Sequence, residues 1–177
     1  MGQYYNAAIL GKNKKTVKQW MYSHDYDNGL KLMEHSYIGN NFVATFENQL
    51  IGNPQRVVWA GDYADDCKGY KSNIYDRCTN KNKINPQEVV VDHETNRFIV
   101  NHSKKQFVDK SLVKDIPHWQ GTKIHPLPLL TCEGNGRGGG DFRGNEQGIV
   151  GLWARDLISI ESEEPKGFVR LKFDLNE

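Results

Sequence analysis

The sequence lacks several features that would point to a common class of protein. Its 23 lysines and arginines nearly balance its 22 aspartates and glutamates, which leaves a net charge of +1, so no general positive field favours nucleic acid as a partner. It has only three cysteines, Cys67, Cys78 and Cys132, and no pair has the C-x-x-C spacing of a zinc ribbon or a redox motif. No apolar run has the length of a transmembrane helix, and no signal-peptide core is present. We therefore expect a cytoplasmic protein with reduced thiols and no membrane partner.

Strand-like segments dominate what is present. A length of 177 residues fits one domain, and 11% of the residues are aromatic and can supply much of its core. The predicted strands are 3–10, 16–22, 56–60, 88–92, 97–101, 149–160 and 168–175. The first two form a predicted hairpin, and residues 92–96 are the predicted loop of a second one. Residues 66–86 are polar and predict a long surface loop.

Helix patterns occur only near the N-terminal third. Two apolar stripes have helical spacing, the first made of Leu30, Met33 and Tyr37 and the second of Phe42, Phe46 and Leu50. Asn28 is a candidate cap for the first helix, and Gly52-Asn53-Pro54 ends the second. The sequence thus predicts a single α+β domain over 1–177, with a mainly antiparallel sheet and one or two inserted helices.

One loop stands out, because five of the eight residues from Gly134 to Asp141 are glycine. Glycine has the largest ordering cost and no side chain to pack, so such a run marks a place where the backbone itself touches something. The pattern G-x-G-x-x-G is present. However, prolines interrupt the candidate strand before it at 127–132, and no helix is predicted after it. No Gly-Lys-Ser/Thr follows either, so neither a dinucleotide fingerprint nor a Walker A loop is indicated.

The loop can instead bind an anion, because consecutive peptide N–H groups form a concave nest. Its two arginines add planar, bidentate donors for phosphate or carboxylate. Asp141 could orient an arginine, accept a ribose hydroxyl or hold a metal. The predicted ligand-binding residues are Gly136, Arg137, Gly138, Gly139, Gly140, Asp141 and Arg143. The alternative is a tight connection that packs against an aromatic residue such as Trp153.

Two polar turns supply the other candidate residues. The first contains His24, Asp25 and Tyr26, which we expect on the wall opposite the glycine loop. His24 and Asp25 could act as an acid–base or metal pair, although a helix cap at Asp27 or Asn28 also explains the segment. In the second turn, Asp62 and Asp65 follow a predicted strand and could hold a hard cation such as Mg²⁺ or Mn²⁺. A solvated acidic turn has the same composition.

The remaining histidines and cysteines form weaker patterns. Cys132 could be a nucleophile with His125 as its base, but nothing in the sequence indicates an activated thiol. His93 and His102 lie at the ends of the second predicted hairpin, where polar residues are expected in any case. His35 could share a face with the first apolar stripe and would then be a core histidine with satisfied ring nitrogens.

Five islands of sequence can be compared with known proteins as a set. They are Met1-Gly2-Gln3-Tyr4-Tyr5, the run from His24 to Glu34, Gly61 to Asp65, Gly134 to Asp141, and Val150 to Asp156. Together they resemble a family of uncharacterised phage and bacterial proteins, with residues 66–120 largely unmatched. The resemblance implies a bacterial cytoplasmic setting, associated with mobile elements. It implies no activity and no catalytic residue.

Three functions follow from these patterns. The first is binding of a phosphate-bearing, nucleotide-like small molecule by the Gly/Arg loop. The second is a metal-assisted phosphoesterase, in which the turns around His24 and Asp62 hold a cation that activates water. The third is a protein–protein inhibitor or interaction module. Its candidate exposed anchors are Tyr4, Tyr5, Trp20 and Trp119. We expect the first.

Overall fold

The computed structural model describes residues 3–87, 89–117, 119–134 and 148–174. Within these ranges the strands, numbered in chain order, are β1 Tyr5–Leu10, β2 Val17–Met21, β3 Gln55–Gly61, β4 Phe98–Asn101, β5 Gln106–Asp109, β6 Asp115–Ile116, β7 Trp119–Lys123, β8 Cys132–Glu133, β9 Leu157–Glu161 and β10 Val169–Arg170. The helices are α1 Leu32–His35, α2 Asn41–Asn48 and α3 Pro126–Thr131.

Most strands join one sheet. Its order is β10-β5-β4-β9-β3-β1-β2, and β8 pairs with β3 beside that path. The pairs β10–β5 and β3–β8 are parallel and the others are antiparallel. Strands β6 and β7 form a separate ribbon. The fold is therefore the predicted α+β arrangement, a single compact domain on a mainly antiparallel sheet.

The central strands are buried on both faces, which explains their nearly continuous apolar sequences. On one face, Ile9 and Trp59 belong to the main core together with the helices. On the other face, Ala8 and Val58 belong to a smaller cluster. The segment 66–86 is irregular apart from a 3-10 turn at Tyr75–Arg77, and it buries Ile74 in that smaller cluster. The polar loop thus covers the second face of the sheet.

Helix α2 forms where the second apolar stripe predicts it. The side chain of Asn40 caps its N-terminus by accepting the backbone N–H groups of Phe42 and Val43. The rings of Phe42 and Phe46 pack on Trp59, with centroid separations of 5.8 and 4.9 Å. The edge-to-face geometry of these pairs anchors the helix on β3.

Helix α1 differs from its prediction. It begins at Leu32, with Lys31 as the capping residue, and the Glu34 carboxylate accepts the Lys31 N–H. A cap at Asp27 or Asn28 was therefore the wrong expectation. Asp27 instead ends a 3-10 turn in the left-handed conformation, with φ of 57°, which redirects the chain before the helix starts.

Several predicted strands also need correction. Residues 89–92 form no strand, and β4 pairs with β5 across the turn 102–105. Asp92 folds its own turn by accepting the N–H groups of Glu94 and Thr95. Residues 149–156 form turns before β9, with Gly151 and Arg155 at positive φ. Of 168–174, only β10 is a strand. Residues 127–131 lie in α3, because its prolines fall in the first turn, where a missing N–H costs nothing.

Candidate functional site

Four strand ends lie along the same end of the sheet, which we call the strand-end site. Strand β1 begins there at Tyr5, opposite the last residue of β3, Gly61. Met21, the last residue of β2, pairs with Ala7 near the same end. Glu133, the last residue of β8, pairs with Ala60. The segments that follow β2, β3 and β8 therefore leave the sheet together. They are the His24 turn, the Asp62 turn and the glycine loop.

Close backbone packing at this point requires glycine. A Cβ atom on Gly61 would lie 2.5 Å from the carbonyl oxygen of Glu133. A Cβ atom on Gly134 would displace the side-chain oxygen of Gln3. Gly61 thus lets the end of β8 lie directly beside the Asp62 turn.

The two flanks of the glycine loop are fastened together. The N–H groups of Gly151 and Trp153 donate to the carbonyl oxygens of Leu129 and Leu130, at 2.8 and 2.6 Å. Trp153 is fully buried, and its indole N–H donates to Gln106 at 2.9 Å. The described segments on either side of the loop are therefore joined by hydrogen bonds.

An ion pair adds a second fastening between the same flanks. The guanidinium of Arg155 clasps the carboxylate of Glu133, with Nε at 2.7 Å from Oε2 and Nη2 against Oε1. Arg155 also donates to the carbonyl oxygen of Lys14 at 3.0 Å. Its φ of 65° is left-handed, a conformation that costs free energy for a residue other than glycine. The pairing with Glu133 raises the pKa of Arg155.

The predicted ligand residues of the glycine loop fall outside the described residues. These are Gly136, Arg137, Gly138, Gly139, Gly140, Asp141 and Arg143. They stay a prediction from the sequence. The structure describes the segments on either side of them.

The first polar turn is divided between surface and core. His24 is exposed, and its ring lies 5.0 Å from that of Tyr22. Asp25 forms an ion pair with Lys83 at 3.0 Å. Tyr26 is buried, where its ring packs on Phe42 and its hydroxyl oxygen accepts the N–H of Gln87 at 3.2 Å. Of the three, His24 is therefore the most open to a ligand.

The second polar turn follows β3, which pairs with the side of β1 opposite to β2. Oδ1 of Asp62 accepts the backbone N–H of Tyr4 at 3.0 Å, which holds the turn against the start of β1. Burial, followed by the negative charge of Asp62, raises the pKa of Tyr75. Asp65 is exposed on the same turn.

A cluster of ionisable side chains lies elsewhere in the fold and is largely buried. It consists of Glu47, His93, Lys110 and His125. Glu47 on α2 and His125 at the N-terminus of α3 have no exposed surface, and Lys110 is 3% exposed. Lys110 Nζ lies 2.6 Å from Glu47 Oε1 and 3.2 Å from His93 Nδ1. His125 Nε2 lies 2.9 Å from Glu47 Oε1.

Charge in this cluster is balanced within it. Although burial opposes ionisation of Glu47, the nearby His125 and Lys110 lower its pKa to about 2. Burial lowers the pKa of both His93 and His125, which favours their neutral forms. The cluster therefore holds one carboxylate and its lysine partner out of water.

Part of this cluster was detectable in the sequence. Glu47 lies four residues after Val43 and directly after Phe46, within an apolar helix face, and a carboxylate there needs a buried partner. Nothing near Lys110 in the sequence indicates that it is this partner, because the pair is 63 residues apart.

The other predicted residues have structural roles. Burial raises the pKa of Cys132 to about 12, and His125 is directed at Glu47, so a Cys132–His125 nucleophile pair is not supported. His35 is the core histidine that the stripe predicts, bonded to Gly29 and Trp59. Among the four aromatic anchors of the interaction module, Tyr5 and Trp20 are buried, because both pack into the two clusters beside β1.

Comparison of the chain with protein-family models, with curated proteins and with solved structures found no match. The resemblance to phage and bacterial proteins stays a prediction. Within the described part of the chain, no helix is long and apolar enough to cross a membrane.

Proposed function

We propose that the protein binds a phosphate-bearing, nucleotide-like small molecule at the strand-end site. One observation carries this proposal. The described flanks of the glycine loop are joined to each other, and the end of β8 lies beside the Asp62 turn, at the same end of the sheet as the His24 turn. The Arg155–Glu133 clasp and the hydrogen bonds of Gly151 and Trp153 join these flanks.

The chemistry of the loop favours an anion. A run of glycines can turn consecutive peptide N–H groups towards a phosphate, and Arg137 and Arg143 would add forked donors. Glu133 and Arg155 neutralise each other, so the clasp itself does not repel a phosphate.

The neighbouring turns favour a nucleotide over inorganic phosphate. Tyr4 and Tyr63 flank Asp62, and each residue is 44% exposed. An exposed aromatic ring is a stacking surface for a nucleobase. The second carboxylate oxygen of Asp62 can accept a ribose hydroxyl, and His24 can donate to a second phosphate.

A thermal-shift screen tests the proposal. Wild-type protein is heated with mono-, di- and cyclic nucleotides, and with inorganic phosphate. At one hundred times its Kd, a ligand adds about 2.7 kcal/mol of stability. We expect a nucleotide to raise the melting temperature and phosphate alone to raise it less.

Two variants and one addition sharpen the screen. Arg137→Ala should abolish the shift, whereas Arg170→Ala should keep it, because Arg170 is exposed on β10 at the opposite edge of the sheet. Equal shifts in the two variants would contradict the proposed site. Adding Mg²⁺ or Mn²⁺ and assaying for product tests the phosphoesterase alternative, which requires metal-dependent turnover.

A further inference from the structure

We propose that Glu47, His93 and His125 form a site for a divalent transition-metal ion, and that Lys110 occupies the position of this cation when no metal is bound. This site is separate from the strand-end site and does not depend on its function. It is built from residues of α2, the turn at 92–96 and the N-terminus of α3.

Geometry is the first argument. One carboxylate oxygen and one nitrogen from each imidazole all lie within 4.8 Å of one another. Among the described residues, no other group of three histidine, cysteine, aspartate or glutamate side chains meets this condition. Atoms each about 2.1 Å from a shared ion lie at most about 4.2 Å apart, so the three side chains would need only small movements to bind one.

An unsatisfied carboxylate oxygen is the second argument. Glu47 Oε2 is buried and has no hydrogen-bond partner among the described residues, and it lies 3.5 Å from His93 Nδ1. His125 is directed at the same carboxylate, with Nε2 2.9 Å from Oε1. A buried polar atom without a partner destabilises the folded state. A metal ion held by these groups would satisfy this oxygen.

Lys110 is the third argument. Its ammonium contacts the carboxylate and one imidazole at once, as a metal ion would. A buried ion pair often stabilises a protein no more than apolar residues of similar volume would. Because both are cations, Lys110 and a metal ion would compete for the same carboxylate.

Metal binding must also displace a proton. His125 Nδ1 accepts the backbone N–H of Leu127 at 3.1 Å, so the neutral ring carries its proton on Nε2. In most metal sites the outer nitrogen donates instead. We therefore expect uptake to compete with both this proton and Lys110, which makes affinity lower than in a site dedicated to metal.

The ligand set indicates which metals fit. Two imidazoles and one carboxylate suit Zn²⁺, Co²⁺, Ni²⁺ or Fe²⁺, whereas Mg²⁺ and Mn²⁺ prefer all-oxygen sites. Three protein ligands leave a coordination position for water. The His93 side chain is 23% exposed, which gives the ion a route from solvent.

Titration of chelator-treated protein with Zn²⁺, and with Co²⁺ followed by its visible absorption, tests the proposal. We expect one ion per chain in the wild type and binding about tenfold tighter in Lys110→Met, because the competing cation is gone. Zn²⁺ should also raise the melting temperature of Lys110→Met more than that of the wild type. The matched control is the double variant Glu47→Gln/Lys110→Met, which should bind neither ion. His102→Ala, outside the cluster, should bind like the wild type.

Three outcomes would overturn the proposal. One is the absence of Zn²⁺ and Co²⁺ binding in the wild type. This holds even if the Lys110→Met variant binds the metal, because the native lysine would then exclude it. Another is binding that survives Glu47→Gln and His93→Ala. The third applies if Lys110→Met does not fold without metal. The variant is then refolded with and without Zn²⁺, and equal failure under both conditions contradicts a metal site.

Discussion

Acid should destabilise this protein through one buried histidine, His35. Its Nδ1–H donates to the carbonyl oxygen of Gly29 at 3.0 Å, and its Nε2 accepts the indole N–H of Trp59 at 2.9 Å. These two partners fix a single neutral tautomer. A second proton would place an N–H on Nε2 directly against the Trp59 N–H, and burial would deprive the charge of most of its hydration.

The magnitude follows from the pKa. Burial lowers the pKa of His35 from 6.5 to about 4. Below the unfolded value the unfolded chain binds a proton that the folded chain does not, so stability falls as pH falls from 6.5 towards about 4. The full effect is about 3 kcal/mol, of which about 2 kcal/mol is lost by about pH 5.

Urea denaturation of the wild type and of His35→Gln, at about pH 7.5 and about pH 5, measures this effect. Glutamine can keep both hydrogen bonds and does not titrate, so the variant should lose about 2 kcal/mol less than the wild type on acidification. The other buried histidines titrate in both proteins and cancel in the comparison. His102→Gln should lose as much as the wild type. Identical acid sensitivity of wild type and His35→Gln would refute the argument.

Three further outcomes are expected. Asn40→Ala removes the cap of α2 and should lower the free energy of unfolding by about 1 kcal/mol, whereas Asn40→Asp in the same urea titration should retain it. Arg155→Lys keeps the charge but loses the fork on Glu133, and should cost about 1–2 kcal/mol; an unchanged urea midpoint would show that the clasp is unimportant. Cys132 should resist iodoacetamide in folded protein, since burial raises its pKa to about 12, and peptide mass spectrometry would reveal any modification.

Local patterns gave the parts of the fold that depend on neighbouring residues. The β1–β2 hairpin follows from two apolar segments joined by a turn in which Asn13 bonds the N–H groups of Lys15 and Thr16. Helix α2 follows from its stripe and its Asn40 cap. In both cases the residues that determine the structure lie within a few positions of one another.

Long-range contacts account for what the sequence could not predict. Strand β5 is polar at its start, and it becomes a strand because it pairs with β4 on one side and β10 on the other. Helix α3 begins at Pro126, with His125 as its capping residue. In the sequence alone, the prolines of this segment look like interruptions of a strand. The partnership of Glu47 with Lys110 depends on tertiary packing alone.

The candidate ligand site divides in the same way. Glycine density located the loop, and strand endings located the two polar turns. Their common position at one end of the sheet required the registers of β1, β3 and β8. The fastening of the loop by Arg155 was also not predictable, because Arg155 and Glu133 are 22 residues apart.

Isothermal titration calorimetry tests the central claim most directly, using the nucleotide that gives the largest thermal shift. We predict one binding site per chain in the wild type. The affinity should be at least about tenfold weaker in Arg137→Ala. A hydrogen bond to a charged group contributes about 1.5–3 kcal/mol, and a loss of about 1.4 kcal/mol already corresponds to a factor of ten. Arg170→Ala should match the wild type. Equal affinities in wild type and Arg137→Ala, or no binding heat with any nucleotide, would contradict a phosphate site in the glycine loop.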